Sequence, residues 1–207
     1  MPYRFHPPVT DQYYHVYNRG LDGKIIYDCS QDYARFLDLL NYYSYVNPPF
    51  RFSRYQALTT KNREKYLLDL KKNGVKLVEL YCFCLMNNHF HLLLKQLIDN
   101  GLMNFMRIVQ NAYAKYYNTK NKRKGRLIQS EYQYKLMKSD EQFDNTSRYI
   151  HLNPVKSNII TLDKLESYSY SSYPDYVGKI KRHDFIDISF IKDRFASTTA
   201  YAKFIAE

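Results

Sequence analysis

Two segments joined by a two-residue turn set the tightest limit on what this chain can fold into. Residues 75–86 are apolar enough for a buried strand, Asn87-Asn88 is a turn signal, and residues 89–94 read as the returning strand of a hairpin. A buried strand needs neighbours at its edge and a covering layer, so the flanking segments are read for both.

Upstream, residues 13–18 (Tyr-Tyr-His-Val-Tyr-Asn) read as a strand closed by the turn Arg19-Gly20-Leu21-Asp22-Gly23. Ser30 precedes a helical pattern through Phe36, Leu37, Leu40 and Tyr43, which Asn47-Pro48-Pro49 is expected to stop. Residues 48–62 look irregular, and 63–73 read as a short basic helix ending at Gly74. Downstream, residues 102–117 have helical spacing through Leu102, Phe105, Met106, Val109 and Tyr113. Gly125 opens another extended segment, 126–137. Ser139 or Asp140 caps a further helix, expected to run to about Leu152 because Pro154 disfavours a helical Asn153.

The core order, strand-helix-strand-strand-helix-strand, matches a ferredoxin-like α+β sandwich with a central antiparallel sheet. Helices are expected on one face, one of them carrying Tyr149. The expected organisation is one domain over residues 1–175, with an insertion at about 48–74, then a C-terminal extension, 176–207, of unknown role. A Tyr/Ser-rich stretch, Tyr168-Ser169-Tyr170-Ser171-Ser172-Tyr173-Pro174, leads into that tail, which ends in a helix.

Composition narrows the partner. The 207 residues suffice for one domain with a substantial core. No apolar run approaches the roughly 18 residues that cross a bilayer. Met1-Pro2-Tyr3-Arg4-Phe5-His6 lacks the apolar stretch of a secretory signal, so a cytoplasmic protein is expected. Cys29, Cys82 and Cys84 are too few for a disulfide framework, and the last two read as reduced core residues. The net charge of +11, from 31 Lys+Arg against 20 Asp+Glu, favours a polyanion bound through its phosphates. Twenty-three Tyr and 12 Phe among those cations suit stacking on unpaired bases, although many rings must be ordinary packing.

Two short patterns carry chemistry. His89 and His91 are two apart on a strand, so they point the same way with Cα atoms about 7 Å apart. Imidazoles leaning together can share one cation at about 2.0–2.1 Å. Hydrogen bonding on a polar sheet face is the plainer alternative. A zinc site with Cys82 and Cys84 is another, which the apolar flanks Phe83 and Leu85 weaken. Tyr149 and Asn153 are four apart, hence on one helical face. Tyrosine can be a covalent nucleophile, but a phenol ionises little at neutral pH and gains from a metal or basic partner. The amide oxygen of Asn153 suits Mg²⁺ or Mn²⁺, while Asn153-Pro154 is equally a common helix stop.

The densest basic cluster holds Lys115, Lys120, Lys122, Arg123, Lys124 and Arg126, with Tyr116 and Tyr117 beside it. It is either a solvated loop or a surface for phosphates and a hairpin stem. Lys115, Tyr116, Lys120, Lys122, Arg123, Lys124 and Arg126 are the expected DNA contacts. Lys61, Arg63, Lys65, Lys71 and Lys72 form a second patch.

Taken in order, these segments resemble the HUH-type tyrosine transposases, the IS200-like and REP-associated members in particular. Leu85-Met86-Asn87-Asn88-His89-Phe90-His91-Leu92-Leu93-Leu94 resembles the family's HUH strand. Arg148-Tyr149-Ile150-His151-Leu152-Asn153-Pro154-Val155-Lys156 resembles its catalytic helix. Tyr14-His15-Val16-Tyr17-Asn18-Arg19-Gly20, Gly125-Arg126-Leu127-Ile128-Gln129-Ser130-Glu131-Tyr132 and Tyr170-Ser171-Ser172-Tyr173 resemble its first strand, its strand before that helix and its trailing segment. The likeness covers roughly residues 13–175. Departures are Asn87 where proline is usual, Lys156-Ser157 where arginine-alanine is usual, a longer insertion around 48–75, and a tail beyond 176 without counterpart.

The resemblance implies metal-dependent cleavage and rejoining of single-stranded DNA at hairpin ends. Tyr149 would be the nucleophile of a 5′-phosphotyrosine intermediate, and His89, His91 and Asn153 the ligands of one Mg²⁺ or Mn²⁺. His151, two residues after Tyr149, turns away from that face and is set aside as structural or DNA-contacting. A non-catalytic nucleic-acid-binding protein of the same fold and a metal-dependent phosphodiesterase using water are the alternatives. Monomer and homodimer both stay open.

Overall fold

A seven-residue strand, β1 (Tyr13–Arg19), stands at the centre of the architecture. The computed structural model describes residues 7–178 and 182–207; the opening stretch 1–6, read as lacking a secretory leader, lies outside the described residues. After β1 come a 3₁₀ turn (Leu21–Gly23), α1 (Ser30–Tyr43), α2 (Phe52–Gln56), α3 (Thr60–Asn73), β2 (Val78–Met86) and β3 (His89–Gln96). Then follow α4 (Gly101–Lys120), β4 (Gln133–Leu136), α5 (Asp140–Lys156), α6 (Tyr173–Val177), α7 (Ser189–Arg194) and α8 (Thr198–Ala206). The sheet order is β2-β3-β1-β4, with every pairing antiparallel, which is the ferredoxin-like arrangement.

Strand alternation divides the interior in two. On one face Tyr14, Val16, Phe90, Leu92, Phe83 and Leu85 meet Phe36 and Leu40 of α1 and Phe105, Met106 and Val109 of α4. On the other, Cys82, Cys84, Met86 and Leu93 meet Phe143 and Ile150 of α5. A bulge between Leu80 and Cys82 turns both Tyr81 and Cys82 to that second face. The helix carrying Tyr149 thus covers one face while α1 and α4 cover the other. The C-terminal extension adds Tyr176, Tyr201 and Ile205 to the second core. Phe90 is fully buried, and truncating such a ring to alanine costs about 3–5 kcal/mol.

Among the element boundaries that differ from the sequence reading, four do so for a tertiary reason. α1 stops at Tyr43, before Asn47-Pro48-Pro49, because Ser44 O and Val46 N are taken by Leu77 N and Val75 O, both at 2.7 Å. The stretch 48–62 is not wholly irregular: α2 buries Phe52 and Tyr55 against Tyr42. Of residues 126–137 only β4 is strand, and the rest is tied to the turn after β1, with Leu21 N donating to Leu127 O at 2.9 Å. α5 continues past Leu152 to Lys156 with Pro154 inside it. Proline there forfeits only a bond in the last turn, and Ser157 N closes the helix on Asn153 O at 2.9 Å.

Candidate active site

The hairpin turn is fastened by backbone rather than by side chain. Asn87 O accepts from Ile26 N at 2.8 Å and from Tyr27 N at 3.1 Å, and Asn88 O accepts from Gly20 N at 2.7 Å. What position 87 contributes is its carbonyl, which proline would also supply, so the departure there leaves the turn's anchor intact. Gly20 is required at its place: a Cβ would stand 2.0 Å from Lys24 O.

From that turn β3 carries His89 and His91 onto the α5 face, with ring centroids 5.2 Å apart and planes at 90°. Register sets Arg19 opposite His89 and Tyr17 opposite His91. His15, two residues before Tyr17 on the same face, brings its Nε2 to 2.9 Å from His91 Nδ1. The sequence reading gave His15 no role. Its signal was the alternation Tyr13, His15, Tyr17 along one face, but nothing local says which strand that face will meet.

Tyr149 stands over this pair. Its ring meets His91 edge-on at 5.5 Å and His15 at 5.8 Å, and at 41% it is well exposed for so large a side chain. The helix is oriented at its start by Ser139, whose Oγ accepts from Gln142 N at 3.2 Å. Lys156, one turn below Asn153, sets its ammonium 5.3 Å from the Tyr149 ring centroid. A cavity of about 650 Å³ opens beside the tyrosine, lined by His15, Tyr17, His91, Lys135 and Asn145 among others. A second, of about 620 Å³, lies on the far side of His91 against Arg19, Asn88, His89 and Gln129.

Burial keeps these imidazoles neutral. It lowers His91 to about 3, aided by His15 and His89, and lowers His15 to about 4, aided by Lys135. His89 is lowered as well, by burial and then by Arg19. Neutral imidazole is the form that binds a metal.

Asn153 sits one turn beyond Tyr149 and donates Nδ2 to the Tyr149 carbonyl at 2.9 Å, rather than bonding either imidazole. That bond turns the amide nitrogen toward the helix backbone and leaves the amide oxygen as the end that could meet a ligand. Among the described residues no three His, Cys, Asp or Glu side chains converge as a metal site. His89 and His91, neutral and on one sheet face, are the donors that could hold a divalent metal ion, with the Asn153 amide oxygen as the third candidate. Cys82 and Cys84 lie in the second core beneath α5; burial raises both thiols, against the thiolate that zinc requires.

His151 is fully buried, lowered to about 3 by that burial, and its Nε2 lies 2.8 Å from Ser172 Oγ. It is a packing residue, turned from the Tyr149 face as its spacing implied. The basic cluster divides. Lys120 and Tyr116 are held by the fully buried Asp32, with Lys120 Nζ at 2.7 and 2.8 Å from its oxygens and Tyr116 OH at 2.9 Å. Lys115, Lys122, Lys124 and Arg126 are exposed, and Arg123 lies over the Tyr117 ring at 5.8 Å. The loop that carries Lys122 to Arg126 runs into Gln129, whose N–H donates to Arg19 O at 3.0 Å, so it joins the His89 end of the sheet. Arg107, unnoticed in the sequence, lines a cavity of about 570 Å³ with Arg126. The second patch rides on α3, whose Tyr66 and Leu67 pack against the first core, and Lys71 pairs with Asp184.

No helix among the described residues is long and apolar enough to cross a membrane. No curated protein matches the chain in sequence. The fold is shared with a solved REP-associated tyrosine transposase bound to a REP hairpin, at a TM-score of 0.59 and 9% identity, covering 91% of this chain and 93% of that one. In sequence, residues 51–153, which run from the insertion through the histidine pair to Asn153, match the family described as transposase, IS200-like. With that match laid on this fold, the chain belongs to the IS200-like transposase family.

Proposed function

We propose that this transposase cleaves and rejoins single-stranded DNA through a covalent bond to Tyr149, at ends that carry a hairpin. The observation that carries the reading is the exposed Tyr149 ring set edge-on 5.5 Å from His91, with His89 on the same sheet face. The hairpin in the solved relative's complex supports the choice of partner. So do the net charge of +11 and the exposed Lys122, Lys124 and Arg126.

In the proposed reaction the Tyr149 oxygen attacks the phosphorus, the P–O3′ bond breaks, and the strand leaves as a free 3′-OH. The phenolic proton ends, through solvent, on that 3′ oxygen. The product is a 5′-phosphotyrosine, whose ester keeps the bond energy, so another 3′-OH can reverse the step onto a new strand. His89, His91 and Asn153 would hold a Mg²⁺ or Mn²⁺ that neutralises charge on the phosphate. Lys156, at 5.3 Å from the Tyr149 ring, adds positive charge beside the nucleophile. The cavities on either side of His91 give the strand room to enter and leave.

The test is an adduct assay on a hairpin oligonucleotide library labelled 3′ of the cut. Wild type is expected to give a labelled band that survives denaturing electrophoresis, and Tyr149→Phe to give none while keeping its fold and DNA affinity. Cleavage without any adduct would point instead to a hydrolase using water, and neither cleavage nor adduct to a binding protein.

A further inference from the structure

The contact between His15 and His91 has a geometry that fixes more than position. Their ring planes are only 29° apart, with centroids separated by 5.1 Å and Nε2 to Nδ1 at 2.9 Å. A face-to-face stack would bring the centroids closer; here the rings lie nearly in one plane and meet nitrogen to nitrogen. That is an in-plane hydrogen bond, and one of the two nitrogens must carry the proton. His89 shows the same pattern. Its Nδ1 lies 2.6 Å from Asn88 Oδ1, and the Asn88 amide nitrogen turns away to Gly23 O at 3.4 Å. A carbonyl oxygen only accepts, so His89 is protonated on Nδ1 and its Nε2 carries the lone pair.

We infer that His15 does for His91 what Asn88 does for His89: it accepts the Nδ1 proton and so leaves the His91 Nε2 lone pair for a metal ion. This rests on the proposed metal reading of His89 and His91. His15 is then a positioning residue for the site. Histidine ligands generally donate their second nitrogen to such a partner, and removing the partner typically lowers metal affinity 10- to 100-fold. The alternative proton placement, on His15 Nε2, would force the His91 proton onto Nε2 and block the ligand. A metal ion and the His15 contact therefore select the same tautomer. The pairing also explains why an ionisable ring lies on the first strand at that register: an aliphatic side chain would pack as well, but it could not accept.

The experiment measures Mn²⁺ affinity of the DNA-free protein by electron paramagnetic resonance of the free ion. His15→Ala and His15→Phe are each expected to weaken binding 10- to 100-fold, and His15→Gln, whose terminal amide reaches as far as the imidazole Nε2, to restore most of it. Long-range ¹H–¹⁵N spectra of Mg²⁺-saturated wild type are expected to put the His91 proton on Nδ1, a readout that needs no variant to fold. Unchanged affinity in His15→Ala and His15→Phe, with His89→Ala still losing the ion, overturns the inference and leaves the metal reading standing. A His91 proton on Nε2 in the Mg²⁺-saturated protein overturns it too. If His89→Ala also binds as wild type does, or wild type binds nothing, the metal reading fails and the inference with it.

Discussion

The hydroxyl of Tyr201 lies 2.8 Å from Nδ1 of His151, joining the last helix of the chain to the helix that carries Tyr149. The same hydroxyl is 3.2 Å from Ser147 Oγ, and all three side chains are buried. Arg194 adds a bond to Asp144 at 2.7 Å on the same helix. The C-terminal extension therefore braces α5 from behind. Replacing Tyr201 with Phe leaves polar groups on His151 and Ser147 without that partner, at about 1–3 kcal/mol. A lower urea midpoint with little change in Mn²⁺ affinity is the expected result. An unaltered midpoint would mean the brace contributes nothing to stability.

Protonation of His151 sets a pH dependence whose sign is fixed. Its folded value is lowered to about 3, whereas an unfolded histidine titrates near 6.5. Below about pH 6.5 the unfolded chain takes up a proton that the native residue refuses, so the unfolded state gains. Stability is thus complete above that value and declines as pH falls toward 3, by up to about 1.4 kcal/mol per pH unit from this residue. Urea midpoints at pH 7.5, 6.0 and 5.0 are expected to fall in that order for wild type and less steeply for His151→Gln. Parallel curves for the two proteins would contradict a buried neutral His151.

Metal dependence is expected to follow the histidines and ignore the cysteines. His89→Ala and His91→Ala should lose cleavage that Mg²⁺ or Mn²⁺ supports, whereas Cys82→Ser and Cys84→Ser keep it. Both sulfurs are buried beneath α5, and Cys82 Sγ makes a weak 3.9 Å contact with the Tyr176 hydroxyl. One equivalent of zinc that vanishes with either cysteine substitution would reverse this assignment.

Within the basic cluster, stability and binding are expected to separate. Lys120→Ala takes a partner from the buried Asp32 carboxylate. Burial alone would raise that carboxyl, but bonds from Lys120, Tyr116 and the Asp28 backbone bring it below its usual range. The variant should melt at a lower temperature, with affinity for folded protein little changed. Replacing Lys122, Arg123 and Lys124 together should do the opposite, reducing the salt slope of single-strand binding by about 2. Wild type should bind a hairpin with a single-stranded flank at least tenfold tighter than an equally charged duplex, because only unpaired bases add stacking. Equal affinity for blunt duplex would refute the single-strand reading.

Periodicity and turn chemistry are local, and the features they govern were legible in the chain. The hairpin through Asn87-Asn88, the shared face of His89 and His91, the turning away of His151 and the helical neighbours Tyr149 and Asn153 all follow from spacing along one element. The order of those elements already pointed to the ferredoxin-like sheet. What spacing could not supply is which distant segment each face would meet. His15 reaches His91 across 76 residues, and Lys120 reaches Asp32 across 88, because the β1–β3 register and the packing of α1 on α4 bring them together. A side chain such as Lys120 is equally plausible in sequence as a phosphate contact or as the partner of a buried acid. Only the tertiary structure decides, since the deciding quantity is the cost of leaving Asp32 in the interior without a cation. The end of α5 was decided in the same way: Pro154 disfavours a helix locally, yet packing of Ile150 and Phe143 against the sheet and the bond from Ser157 to Asn153 carry the helix through it.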